Sequence, residues 1–211
     1  MSVTGIKKTL NLHKYSVRVN SIMLNWKIIL PVICAVTGLF FGCLAAKGEG
    51  AVYKKTVSFF VRFILDSKTQ NALTEIIKLL LFPSAFAALL FFTGLSAYGA
   101  IAANVFPAAL MFITGMISCY MYSTYTLKGL AYCVIMIFPY AVLTAVGIIL
   151  CASECIRMSE LTLRAVSKTS KLSDYSFKIY CTQFLRNYLI IAAAAGLKYL
   201  LSRLFGGLFL F

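Results

Sequence analysis

Carboxylates and histidine are scarce in this sequence. Its 211 residues include 6 Asp and Glu against 20 Lys and Arg, and the single histidine is His13. General acid–base catalysis needs such a group held in a water-poor site. No zinc-protease, P-loop or nucleophile-elbow spacing occurs along the chain either. The sequence therefore predicts that the protein is not an enzyme and has no catalytic residue and no cofactor.

The cysteines do not indicate a metal site. Five of the seven fall within or beside apolar runs, where cysteine acts as a small hydrophobic residue: Cys34, Cys43, Cys119, Cys133 and Cys151. Cys151 and Cys155 would share one face of a helix, but structural zinc needs four ligands and His13 is far away in sequence. We interpret both as packing residues and expect no bound metal.

Charged side chains of any kind are few, 12% of the chain, whereas 61% of the residues are hydrophobic. The mean hydropathy is +0.90. Soluble domains contain about 45–50% apolar residues, and so few charges cannot coat a globule of this length. The sequence indicates an integral membrane protein with the lipid bilayer as solvent. Its basic residues lie beside apolar runs, as topology signals do, so we expect no nucleic-acid binding.

The apolar runs predict an all-α, polytopic membrane helix bundle in a single domain, with about five transmembrane helices and amphipathic connecting helices. Residues 1–27 form a basic N-terminal arm. The predicted spans are residues 28–46, 79–95, 106–122, 129–151 and 188–208, and the predicted amphipathic connections are residues 47–78 and 152–187. The runs have about the 17–25 residues with which a helix crosses the hydrocarbon core.

The break between the second and third spans leaves two alternatives open. No Lys, Arg, Asp or Glu occurs from Leu79 to Leu127, a stretch too long for one span. Gly94 and Gly99 make the middle of this stretch the least helix-favouring part. Residues 94–106 either cross between two spans or re-enter the membrane without reaching the far side, and a re-entrant segment would have to be covered by neighbouring helices.

Lys198 interrupts the last apolar run. A lysine inside a span is costly unless it reaches the membrane surface or faces a polar interior. We favour a fifth span in which a shift of register lets Lys198 extend to the outer surface, with an interfacial helix over residues 188–211 as the alternative. The functional interpretation makes Lys198 an intramembrane polar site for a substrate, a lipid headgroup or a partner.

Glycines and one proline are the candidates for helix packing. Gly38 and Gly42 form a G-x-x-x-G pair, which allows another helix of this chain, or of a second copy in an oligomer, to approach closely. The remaining candidates are Gly94, Gly99, Gly115, Gly129 and Pro139. Pro139 lies near the centre of the fourth span, where we expect a kink.

The order of these features between Ile76 and Ile148 resembles the stage II sporulation protein M family: glycines bracket the break, Gly115 lies in the third span, Lys128 and Gly129 form a turn, and Pro139 follows. The resemblance implies a five-span bacterial membrane protein. In spore formers, such proteins help the mother-cell membrane engulf the forespore by anchoring a complex with peptidoglycan-degrading enzymes.

Three functions are compatible with these features. We expect a non-enzymatic scaffold that anchors or positions cell-wall-remodelling partners through residues 47–78. A small-solute transporter or channel component is the first alternative, although no Asp or Glu falls in a predicted span to bind a coupling ion. A lipid-interacting protein that shapes the membrane is the second. The acid-free basic arm favours a bacterial plasma membrane protein with its N-terminus in the cytoplasm.

Overall fold

The computed structural model describes residues 26–46, 72–166 and 177–205. It is 96% helical and shows no strand among these residues, so the predicted all-α class is confirmed. In chain order the elements are α1 (Trp26–Ala45), α2 (Ala72–Gly94), α3 (Gly99–Tyr132), a π-helical segment (Cys133–Ile137), α4 (Phe138–Val166) and α5 (Phe177–Phe205).

The described helices are long and apolar enough to cross a membrane in four continuous stretches: Trp26–Ala45, Thr74–Gly94, Gly99–Leu163 and Phe177–Phe205. Large apolar side chains cover their outer faces; Phe40, Phe92 and Leu189 are each at least 60% exposed. An apolar surface of this extent needs lipid as its solvent. The protein is therefore membrane-embedded, as its composition predicted.

The third stretch doubles back on itself at Thr126. This residue has φ 49° and ψ −125°, a strained conformation for a β-branched residue. On either side of it, Cys133 Sγ donates a hydrogen bond to the Ser118 carbonyl at 3.7 Å, and Gly129 packs against the Met121 carbonyl. The 65-residue stretch is therefore a helical hairpin, and the described part of the chain makes five helical passes.

A second reversal joins α2 to α3 through residues 95–98. The amides of Leu95 and Ser96 donate to carbonyls in the last turn of α2, and the rings of Phe86 and Phe106 pack 5.9 Å apart across the two helices. The break predicted over residues 94–106 is thus a tight turn. Residues 99–105 are helical, so α3 begins before Phe106, where the third span was predicted to start.

The other helices extend beyond the predicted spans into the connections, which were predicted to be helical. Residues 72–78 belong to α2, residues 152–166 to α4 and residues 177–187 to α5. Ion pairs allow polar residues to continue the helices at their ends: Lys27 Nζ lies 2.6 Å from Glu160, and Glu154 pairs with Arg157 at 3.8 Å. Residues 1–25, 47–71, 167–176 and 206–211 lie outside the described residues.

The two ends of the bundle are defined by these reversals. At the Trp26 end, Ser159 of α4 donates to the carbonyl of Ala97 in the 95–98 turn, and the ring of Phe177 at the start of α5 packs against Phe91. The Thr126 end carries the last residue of α1, the first residue of α2 and the last residue of α5.

Pro139 lies two residues after Ile137, the end of the π-helical segment. Proline has no amide hydrogen to donate and its ring presses on the preceding turn. Here Phe138 donates its amide to the Cys133 carbonyl five residues earlier, a wider turn than in an α-helix. The sequence predicted a kink at Pro139, and the structure places a π turn immediately before it.

Gly38 and Gly42 lie against α3 of the same chain. A Cβ atom on either glycine would collide with backbone atoms, those of Ala108 and Phe112 respectively. In return, Gly115 of α3 lies against the Leu39 carbonyl of α1. The G-x-x-x-G pair is thus occupied by an intrachain contact between two helices that run in the same direction.

We predict that Gly38→Ala and Gly42→Ala each destabilise the bundle by about 1–3 kcal/mol, because the added methyl group has only backbone to displace. Thermal or SDS-induced unfolding in detergent measures the loss. Gly196→Ala is the matched control, since nothing lies within 4 Å of a Cβ atom there. Equal stability of the Gly38 variant and the control would contradict the α1–α3 packing.

Candidate functional site

A small cavity lies between α2, α3, α4 and α5, in the half of the bundle nearer the Thr126 end. Its volume is about 70 Å³. Most of its wall is apolar, and five residues from the four helices bring polar groups to it: Lys78, Thr114, Tyr140, Thr144 and Lys198. Two lysines, Lys78 and Lys198, thus line a common cavity.

Lys198 is buried in the wall of this cavity. Only 5% of the residue is exposed, and Nζ lies 4.7 Å from the centre of the Tyr140 ring. A cation over an aromatic face is stabilised by the ring quadrupole, more strongly when it is desolvated. The expectation that Lys198 extends to the outer surface is therefore wrong. Its side chain faces the interior because α5 packs against α2 and α4 at this position.

Tyr140 is held by a hydrogen bond to a backbone carbonyl of α2 that has lost its helical donor. Pro83 cannot donate an amide hydrogen to the carbonyl four residues earlier, which belongs to Leu79. The Tyr140 hydroxyl donates to this Leu79 carbonyl at 3.1 Å. The freed backbone acceptor of α2 thus fixes the phenol of α4, and the phenol ring in turn supports the Lys198 ammonium.

Glu75 brings a carboxylate to the same region. It lies in the first turn of α2, within the membrane-spanning stretch, and is only 4% exposed. Its charge acts on Lys198, although the structure records no ion pair within 4 Å between them in the described residues. The stretch of α2 that is apolar enough to cross a membrane begins at Thr74 and includes Glu75, whereas the predicted second span began at Leu79 and left it out.

Thr144 lies one helical turn beyond Tyr140 on α4. It is 1% exposed, and its hydroxyl oxygen forms no regular hydrogen bond within the described part of the chain. The Tyr140 hydroxyl is close enough to interact with it. A buried hydroxyl without a well-formed partner costs stability, so Thr144 keeps bonding capacity next to the cavity.

The packing residues predicted from the sequence lie elsewhere. Gly94 and Gly99 flank the 95–98 turn, where a Cβ atom on Gly94 would come within 2.5 Å of the Tyr180 hydroxyl and one on Gly99 within 2.6 Å of the Thr93 carbonyl. Gly129 belongs to the Thr126 hairpin. None of these lines the Lys198 cavity.

Side chains from α4 and α5 complete the 95–98 turn at the Trp26 end. The Tyr180 hydroxyl donates to the Phe91 carbonyl at 3.0 Å, and Cys155 Sγ donates to the Gly99 carbonyl at 3.4 Å. Tyr180 also stacks on Phe91 at 5.2 Å. Cys151, one turn before Cys155, is fully buried. Both cysteines are therefore packing residues here, and Cys155 also donates a hydrogen bond to the backbone.

Sequence reasoning identified Lys198 but missed the rest of its surroundings. One signal was available, since Glu75 and Lys78 are three residues apart and so lie on the same face of a helix. A second signal was the position of Pro83 four residues after Leu79, which leaves the Leu79 carbonyl without its helical donor. The pairing of Leu79 with Tyr140 had no local signal, because the two residues are distant in sequence.

Comparison of the chain with protein-family models, curated proteins and solved structures finds no match.

We predict that Tyr140→Phe lowers the unfolding free energy by about 1–3 kcal/mol, because it leaves the Leu79 carbonyl buried without a donor. In a Pro83→Ala background the residue at 83 regains an amide that can donate to Leu79, so the same substitution should cost much less. Unfolding of the four variants in detergent measures the coupling. An equal loss in both backgrounds would contradict the link between Pro83 and Tyr140.

Proposed function

We propose that this protein is a non-enzymatic scaffold in a bacterial plasma membrane, which anchors or positions cell-wall-remodelling partners. The resemblance of residues 76–148 to the stage II sporulation protein M family supports this role and suggests engulfment during sporulation as its setting. The basic arm supports a cytoplasmic N-terminus. With that orientation, the Thr126 end of the bundle and the segment between α1 and α2 face the cell wall.

The observation that carries the proposal is the closed turn between α2 and α3. A transporter that uses a broken helix exposes backbone groups to its solute. In this bundle the carbonyls at the break are taken by other side chains: Tyr180 bonds Phe91, Ser159 bonds Ala97 and Cys155 bonds Gly99. The polar groups at the break join helices to one another, as a rigid anchor requires.

A small-solute transporter or channel component is the second candidate, and Glu75 favours it. Its carboxylate is buried within a spanning helix and near Lys198. Buried charges at membrane depth mark ion and substrate pathways in many transporters. The cavity beside them, about 70 Å³, is too small for most metabolites, which is why we place the scaffold first.

To test the scaffold, residues 47–71 are replaced by a Gly/Ser linker of equal length in the full chain. Crosslinking and affinity purification from the native organism should recover wall hydrolases with the unaltered chain and lose them with this variant. The same replacement of residues 167–176, at the Trp26 end, is the matched control and should retain them.

Two results would count against this role. Purifications of the unaltered chain that consistently lack wall hydrolases would remove its basis. Solute flux into liposomes that contain this chain alone, lost in a Glu75→Gln variant, would establish the second candidate instead.

A further inference from the structure

Among the described residues, the Lys198 ammonium has no partner within hydrogen-bonding distance. Lys198 is buried, and in the described part of the chain its Nζ makes neither a hydrogen bond nor an ion pair, only the contact with the Tyr140 ring. An ammonium carries three N–H donors. Leaving them unfilled at membrane depth is costly, and such a residue pairs with another group or binds a ligand.

The charges around the cavity do not balance. Lys198 and Lys78 line it, and Glu75 is the carboxylate whose charge acts there. Neither lysine forms an ion pair with Glu75 within the described residues. Two ammonium groups and one carboxylate leave one positive charge, so a single negative charge in the cavity would neutralise the site.

The size and donors of the cavity match one oxyanion group. A buried water needs roughly 10–15 Å³, so a volume of about 70 Å³ holds roughly five oxygen-sized groups. Lys198 and Lys78 supply charged donors to it. Thr144, 1% exposed and without a regular hydrogen bond, supplies a hydroxyl. Charge-assisted hydrogen bonds of this kind are the strong ones.

The position of the cavity suits a group that enters from the lipid. Phe82 and Ile113, from α2 and α3, line it and are only half-buried, and the wall beside them is apolar. Basic pockets between transmembrane helices bind the headgroups of anionic phospholipids. An acyl chain can lie along this apolar wall while the headgroup phosphate reaches the lysines.

We propose that the Lys198 cavity binds one singly charged phosphate group, with Lys198 and Lys78 as charged donors and Thr144 as hydroxyl donor. Two sources share this chemistry: the phosphodiester of an anionic phospholipid and free phosphate. The site is independent of the scaffold role, since it depends on no protein partner.

The test uses the purified full chain, delipidated in a neutral detergent, and native mass spectrometry with three probes: phosphatidylglycerol, phosphatidylcholine and inorganic phosphate. Retention of one phosphatidylglycerol per chain, with phosphatidylcholine held at least about tenfold more weakly, identifies the lipid source. Retention of inorganic phosphate alone identifies the free anion. Lys198→Met should weaken binding of the retained probe about tenfold to a hundredfold, as expected for the loss of a hydrogen bond to a charged group.

Lys128→Met is the matched control, because Lys128 is an exposed lysine at the same end of the bundle and lies outside the cavity. Its binding should equal that of the unaltered chain. Thr144→Val keeps the shape and the charges and should weaken binding by a smaller factor, which keeps the test valid if Lys198→Met folds poorly. Equal binding by the Lys198, Thr144 and Lys128 variants, or no retention of either anion by the unaltered chain, would overturn the proposal.

Discussion

Lipid offers no hydrogen-bond partner, so each polar atom at membrane depth must find one within the protein. The 95–98 turn meets this constraint through hydrogen bonds from side chains of other helices. Three carbonyls around the 95–98 turn, those of Phe91, Ala97 and Gly99, accept hydrogen bonds from side chains of two other helices: Tyr180, Ser159 and Cys155. The carbonyl of Leu79, freed by Pro83, is bonded by Tyr140. The 95–98 turn and the Pro83 site are therefore each paired with side chains from neighbouring helices.

The Lys198 cavity departs from this rule. Its ammonium rests on an aromatic ring without a hydrogen bond, and the neighbouring Thr144 hydroxyl is poorly satisfied. A protein that pairs its backbone groups so consistently has no structural need for a buried lysine, because an apolar residue of similar volume would pack there at lower cost. Lys198 and Thr144 bring their unfilled bonding capacity into one cavity between four helices, and this sets the cavity apart from the packing contacts of the glycines.

Composition was enough to predict the fold class, because long uncharged apolar runs have only helical solutions in a bilayer. The residues at which each helix begins and ends were harder to predict than the fold class. Glu75 and Lys78 look like a polar connection in a hydropathy profile, yet they continue α2 on one helix face. The close packing of Gly38 and Gly42 against another helix could be predicted, because the G-x-x-x-G spacing is a local signal. The bond from Tyr140 to Leu79, and with it the interior position of Lys198, depends on tertiary packing between distant segments.

The central claim is that the chain crosses the membrane between its two tight turns, so that the 95–98 turn and the Thr126 hairpin lie at opposite surfaces. The most direct measurement places a single cysteine at Ser96 or Ser123, both exposed, in a variant without the native cysteines, and applies a membrane-impermeant thiol reagent to sealed vesicles. Our account predicts that one of the two sites reacts in intact vesicles and that the other reacts only after the membrane is opened. Reaction of both sites from the same side would show that residues 99–125 do not cross, and would contradict the account.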